Sequence, residues 1–129
     1  MAEPSEDPGE RISEAEHAVM EALWRNSPLT AAEVSDRVAP ERGWSLATVK
    51  TLLSRLVAKK AVATAPDGRR FLYSPAIERT DYVDGESRRL VDRLFGGRAA
   101  PLLVHLVESE ALSDEDIAEI ERLIREFRK

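Results

Sequence analysis

The sequence predicts a mainly helical fold with one small β-hairpin. Three observations carry that reading. Charged residues make up 33% of the 129 positions and aromatic residues 5%, which suits amphipathic helices better than a β-sandwich. Apolar residues recur at helical spacing along most of the chain. Between residues 62 and 73 the period changes to that of strands, around a Pro-Asp-Gly turn.

Residues 1–11 hold two prolines and four acidic groups and read as a disordered acidic tail. Ser13-Glu14-Ala15-Glu16 is a capping box: the Ser13 hydroxyl accepts the Glu16 N–H and the Glu16 side chain returns the bond. Ala15, Val19, Met20, Leu23 and Trp24 follow at helical spacing, and Asn26-Ser27-Pro28 stops the helix. Thr30-Ala31-Ala32-Glu33 is a second capping box. It opens a short helix with Ala31, Val34 and Val38 on one face, closed by Pro40. Gly43 sits in the next turn. Ser45 then caps a helix from residue 46 to about 60, with Leu46, Val49, Leu52, Leu53, Leu56 and Val57 as its apolar stripe. Residues 62–65 read as a strand, Pro66-Asp67-Gly68 as the turn, and residues 70–73 as the return strand with Phe71 and Tyr73 on one face.

The last third is helical again. Residues 78 to about 95 form one segment interrupted by Gly85, with Leu90, Val91, Leu94 and Phe95 on its apolar face and Gly96-Gly97 as the stop. Residues 101–107 form a short, very apolar helix. Ser113 caps the last helix, whose first turn is acidic and whose last turn is basic, as the macrodipole favours. Ile117, Ile120, Leu123, Ile124 and Phe127 form its stripe.

Composition excludes several function classes. The chain has no cysteine, so disulfides, thiolate metal sites and cysteine nucleophiles are ruled out. His17 and His105 are the only histidines. His17 lies near Glu14, Glu16 and Glu21, yet a surface histidine on an amphipathic helix explains it more simply than a metal ligand. His105 reads as a hydrogen-bonded core or interface histidine; facing its symmetry mate it could sense pH. No glycine-rich phosphate loop, nucleophile elbow or metal triad is present, so neither an enzyme nor a cofactor is expected. No apolar run reaches the length of a membrane span, and the acidic start is unlike a signal peptide, so a soluble cytoplasmic protein without membrane insertion is expected.

The net charge of −5 hides an uneven distribution. Residues 1–41 carry −7, residues 74–129 carry −4, and residues 42–73 carry +6. That central block holds Arg42, Lys50, Arg55, Lys59, Lys60, Arg69 and Arg70 against Asp67 alone. It coincides with the third helix and the hairpin. Helix, short helix, turn, helix and hairpin is the winged helix-turn-helix order. Opposite its apolar stripe the third helix shows Ala47, Thr48, Lys50, Thr51, Ser54 and Arg55, small, hydroxyl-bearing or basic and with no acid among them. Such a face can enter a major groove: small residues allow close approach, hydroxyls bond phosphates or base edges, and cations meet phosphate or guanine. Ser45, Ala47, Thr48, Lys50, Thr51 and Arg55 are the candidate DNA contacts from the helix, Arg69 and Arg70 those from the wing. Lys59 and Lys60 are expected to extend the patch. Trp44 reads as core, with packing against a sugar or sealing the turn as the alternatives.

The same residues resemble a known family. Trp44-Ser45-Leu46-Ala47-Thr48-Val49-Lys50-Thr51-Leu52-Leu53-Ser54-Arg55-Leu56 resembles the recognition helix of the BlaI/MecI/CopY penicillinase repressors. Glu16 to Trp24 resembles their first helix, Gly68 to Pro75 their wing, and Leu94-Phe95-Gly96-Gly97 with Leu112-Ser113 and Asp116 their dimerisation region. The resemblance covers residues 12–128. It implies a homodimeric repressor that binds double-stranded operator DNA of dyad symmetry, and a sensor protease as a further partner. It divides the chain into the tail (1–11), a winged-helix DNA-binding domain (12–77) and a helical dimerisation region (78–129). Leu90, Leu94, Phe95, Leu102, Leu103, Leu106, Ile120, Leu123, Ile124 and Phe127 are the expected dimer contacts, because so apolar a tail is hard to bury on its own. Two departures stand out. The cysteine metal site of copper-sensing members is absent, and the Asn–Phe bond cut in β-lactam-responsive members is matched by His105-Leu106. The rival reading is a winged-helix protein-interaction adaptor with no specific operator.

Overall fold

A computed structural model of the chain describes residues 11–128; all but the last residue of the expected acidic tail lies outside them. The chain divides into two compact units, one ending at Gly85 and one beginning at Glu86.

Helix α1 (Glu14–Arg25) starts on the expected capping box. The Glu16 N–H donates to Ser13 Oγ at 3.1 Å, and the Ser13 N–H donates to Glu16 Oε1 at 2.9 Å. Helix α2 (Ala31–Arg42) starts on the Thr30–Glu33 box at 3.1 and 2.8 Å. It does not close at Pro40. The ring deprives the helix of one i→i−4 bond in its last turn, and the helix continues to Arg42. Gly43 ends it at φ +68°, its N–H donating to Ala39 O. Helix α3 (Leu46–Ala58) is capped by Ser45, which accepts the Thr48 N–H at 3.1 Å. It ends two residues earlier than expected, because Lys60 turns to φ +66° and the Ala61 N–H folds back onto Leu56 O.

Strands β1 (Val62–Asp67) and β2 (Arg70–Pro75) pair antiparallel from Val62↔Pro75 to Asp67↔Arg70. The strands are longer than expected and the turn is Gly68-Arg69 rather than Pro66-Asp67-Gly68. Pro66 fits opposite Phe71 because Asp67↔Arg70 closes the turn. The next pair then directs its N–H positions away from the partner strand. Leu29 and Tyr73 exchange backbone hydrogen bonds at 3.0 and 2.7 Å, tying the root of the hairpin to the α1–α2 link.

The core of this unit is where three helical stripes meet. Val19, Met20 and Leu23 of α1, Val34 and Val38 of α2, and Val49, Leu52, Leu53 and Leu56 of α3 are buried, with Ile12, Leu29, Ala61 and Val62 at the edges. Leu46, expected in the α3 stripe, is instead 42% exposed: the first helical residue overshoots the buried face.

Helix α4 (Arg79–Phe95) begins in the first unit and runs past Gly85. Its start is fastened to α1. Trp24 Nε1 donates to Ile77 O at 3.0 Å, Arg79 spans both Glu21 oxygens at 3.1 and 3.2 Å, and Tyr82 stacks on His17. Gly96 and Gly97, both at positive φ, follow α4 as expected. Helix α5 (Ala99–Glu108) and helix α6 (Asp114–Phe127) complete the second unit. A third capping box, Ser113–Asp116, opens α6 with both bonds at 3.0 Å. No residue of α4, α5 or α6 is buried. None of the helices among the described residues is long and apolar enough to cross a membrane.

Candidate nucleic-acid interface

Part of the basic block of the sequence comes together beside the third helix: Lys50, Arg69 and Arg70 line one cleft. Helix α3 buries Val49, Leu52, Leu53 and Leu56, so helical geometry turns the rest of it outward. Ser45, Ala47, Thr48, Lys50, Thr51, Ser54 and Arg55 are all exposed. Beside α3 lies a cleft of about 490 Å³, walled by Leu46, Lys50 and Ser54 on one side and by Arg69, Arg70, Phe71 and Tyr73 of the hairpin on the other. The start of α2 at Thr30, Ala31 and Ala32 forms its end.

Of the expected contacts, the cleft gathers Lys50, Arg69 and Arg70. Ser45, Ala47, Thr48, Thr51 and Arg55 are not among its walls; they lie on the exposed face of α3. The Ser45 and Thr48 hydroxyls are engaged with one another at 3.1 Å at the start of the helix. Arg70 Nε pairs with Asp67 Oδ2 at 3.1 Å across the turn, so part of its charge is spent locally. Lys50 and Arg69 make no ion pair among the described residues.

Lys59 is a correction. It does not extend the patch. Its Nζ turns inward to Glu16 Oε1 at 2.6 Å and to Arg11 O at 2.8 Å. Glu16 is only 2% exposed. Burial pushes its carboxyl up, but hydrogen bonds from Lys59 and the Ser13 backbone, with the charges of Lys59 and Arg55, hold it below the usual range. A pair 43 residues apart leaves no trace in a local charge count. Lys60 remains exposed. Trp44 is half-buried against the core, with the Arg42 guanidinium 5.3 Å from its ring centre.

The histidines lie elsewhere. His17 Nε2 pairs with Glu21 Oε2 at 3.0 Å, and its ring is set edge-on to Trp24 and stacked on Tyr82. The Arg79 hydrogen bond, with the charges of Arg79, His17 and Arg25, overcomes burial and keeps the Glu21 carboxyl low. Among the described residues no three histidine, aspartate or glutamate side chains converge to hold a metal ion. His105 is exposed on α5 and is not a core residue of its own chain. Sequence reasoning did not expect Thr30, Ala31, Ala32, Leu46, Phe71 or Tyr73 at a binding surface. Leu46, Phe71 and Tyr73 entered only as apolar pattern and as parts of the family resemblance, with no signal separating covered from uncovered positions.

A three-helix core, a paired wing and a basic, acid-free face on the third helix define a winged helix-turn-helix protein of the DNA-binding class. The chain belongs to the penicillinase repressor family, whose sequence profile matches residues 12–126. It is 31% identical over 118 residues to the penicillinase repressor of Bacillus licheniformis, covering 92% of each chain. The methicillin resistance regulatory protein MecI of Mammaliicoccus sciuri is 28% identical over 88% of this chain and 92% of its own. The solution structure of the DNA-binding domain of the repressor BlaI matches with a TM-score of 0.51 and 38% identity, over 56% of this chain and 88% of that one. Fold and relatives alike are those of DNA-binding repressors rather than enzymes.

Proposed function

We propose that this chain is a sequence-specific transcriptional repressor that binds a dyad-symmetric operator as a homodimer. The observation that carries the reading is the exposed, acid-free face of α3 with Lys50 and Arg55, set beside a wing that brings Arg69 and Arg70 to the same cleft as Lys50. Ser45, Ala47, Thr48, Lys50, Thr51 and Arg55 are the contacts from the helix, and Arg69 and Arg70 those from the wing. Residues 12–77 act as the DNA-binding domain and residues 78–129 as the dimerisation region. Support for the second role comes from exposure. Leu94, Leu103, Val104, Val107, Leu123, Ile124 and Phe127 are large, apolar and open to solvent within one chain. The remaining dimer contacts, Leu90, Phe95, Leu102, Leu106 and Ile120, are half-buried. Two-fold pairing of this surface sets two recognition helices about one DNA turn apart.

The test is fluorescence anisotropy of the full chain on the DNA upstream of its own coding region and on a scrambled duplex, across a salt series. The reading requires the native duplex to bind about 10³-fold or more tightly. Equal, weak binding that salt abolishes on both duplexes leaves only a generic cationic patch, and the adaptor reading replaces this one.

A further inference from the structure

The cleft between α3 and the wing holds two side chains that DNA binding by charge does not explain. Leu46 is 42% exposed and Phe71 is 53% exposed, and both line the cleft alongside Lys50, Arg69 and Arg70. Leu46 is neither the cap of α3 nor part of its buried stripe. Ser45, not Leu46, caps α3, and the core stripe of α3 begins at Val49, which is fully buried. Every other exposed position from 45 to 55 on α3 is small, hydroxyl-bearing or basic. Two large apolar groups left in water inside a cationic cleft gain free energy when something apolar covers them.

We infer that Leu46, with Phe71 as the opposite wall of the cleft, reads the 5-methyl group of a thymine in each operator half-site. The inference rests on the DNA-binding reading above and names what one part of that surface recognises. Phosphates offer nothing to an isobutyl group. The major groove offers one apolar group on its base edges, the thymine methyl. Leu46 is the first residue of α3, and the N-terminal end of a recognition helix is the end that meets base edges. Having neither donor nor acceptor, Leu46 distinguishes thymine by its methyl alone. Phe71 excludes water from the contact, while Lys50 and Arg69 are placed to hold the adjacent phosphates.

The experiment starts with selection of bound duplexes from a random library by the full chain. Each thymine of the selected consensus is then replaced singly by deoxyuridine, which removes the methyl and nothing else, and affinity is read by anisotropy. One position per half-site is expected to weaken by about fourfold, the effect of exposing one buried methyl. Leu46→Ala should bind the thymine and deoxyuridine duplexes equally, and Phe71→Ser should reduce the difference. Alanine at an exposed first helical position keeps α3 intact, which an unchanged circular dichroism melt verifies. A consensus bound with the same affinity whichever thymine is replaced overturns the inference and leaves the repressor reading standing. So does a deoxyuridine penalty of equal size in wild type and Leu46→Ala. A library from which no consensus emerges overturns both.

Discussion

Helices α3 and α6 carry the same kind of pattern and meet opposite fates. In α3, Val49, Leu53 and Leu56 are fully buried within the chain. In α6, Ile117 and Ile120 are half-buried, Leu123 and Ile124 are 40% and 48% exposed, and Phe127 is 86% exposed. Both helices start on a serine cap, and both set their apolar residues at i, i+3, i+4 and i+7. Periodicity therefore tells which face of a helix is apolar but not what covers it. The first unit closes its core by bringing three stripes and a hairpin root together. The second leaves its stripes open, which is how one half of a larger core looks when seen alone.

The contrast breaks most sharply at Leu53. Leu53→Ala should cost about 2–5 kcal/mol in urea unfolding, the range for emptying a fully buried leucine site. A loss below about 1 kcal/mol would mean that the first unit is not the closed core described. Ile124→Asp should leave the cooperative unfolding of the first unit in place but disrupt self-association. A carboxylate on a buried apolar interface costs about 2 kcal/mol or more per copy. Sedimentation should show one chain where wild type shows two; a persisting dimer would remove α6 from the interface.

Glu16→Gln sharpens the same comparison from the electrostatic side. It leaves Lys59 with a neutral partner and should cost about 1–3 kcal/mol. Because the Glu16 carboxyl is held below its ordinary value of 4.5 when folded, its stabilisation is full above that value and lost as pH falls through the lower folded value. The gap between wild type and Glu16→Gln should accordingly be widest near neutral pH and close in acid. A gap that widens in acid contradicts the pairing. The smallest effect belongs to the surface. Arg69→Ala should leave stability unchanged, weaken all duplexes alike, and reduce the salt slope of DNA binding by about one unit. An unaltered slope would take the wing tip off the phosphate backbone.

Local chemistry was legible and long-range chemistry was not. The capping boxes at Ser13 and Thr30 lie within four residues and form with the expected partners, and the cap expected at Ser113 forms with a return bond from Asp116 added. The order of elements follows from them and from the change of period at residue 62. Pro40 misled because a rule for helix interiors was applied in a last turn, where the lost bond is single and Gly43 supplies the stop. Lys59 misled because its carboxylate is on another helix. Leu46 misled because the stripe begins one turn before the core does. The cationic site was visible as a charge block. Its apolar lining emerged only once the hairpin was placed beside α3.

The central claim is a division of labour, with DNA recognition on the first unit and assembly on the second. The most direct measurement is the mass and affinity of the complex formed on duplexes carrying one or two copies of the selected half-site. Two 14.4 kDa chains should bind the two-copy duplex, far more tightly than the one-copy duplex, and Ile124→Asp should erase that advantage without altering one-copy binding. A two-copy duplex bound no more tightly than the one-copy duplex, or an advantage that survives Ile124→Asp, would contradict it.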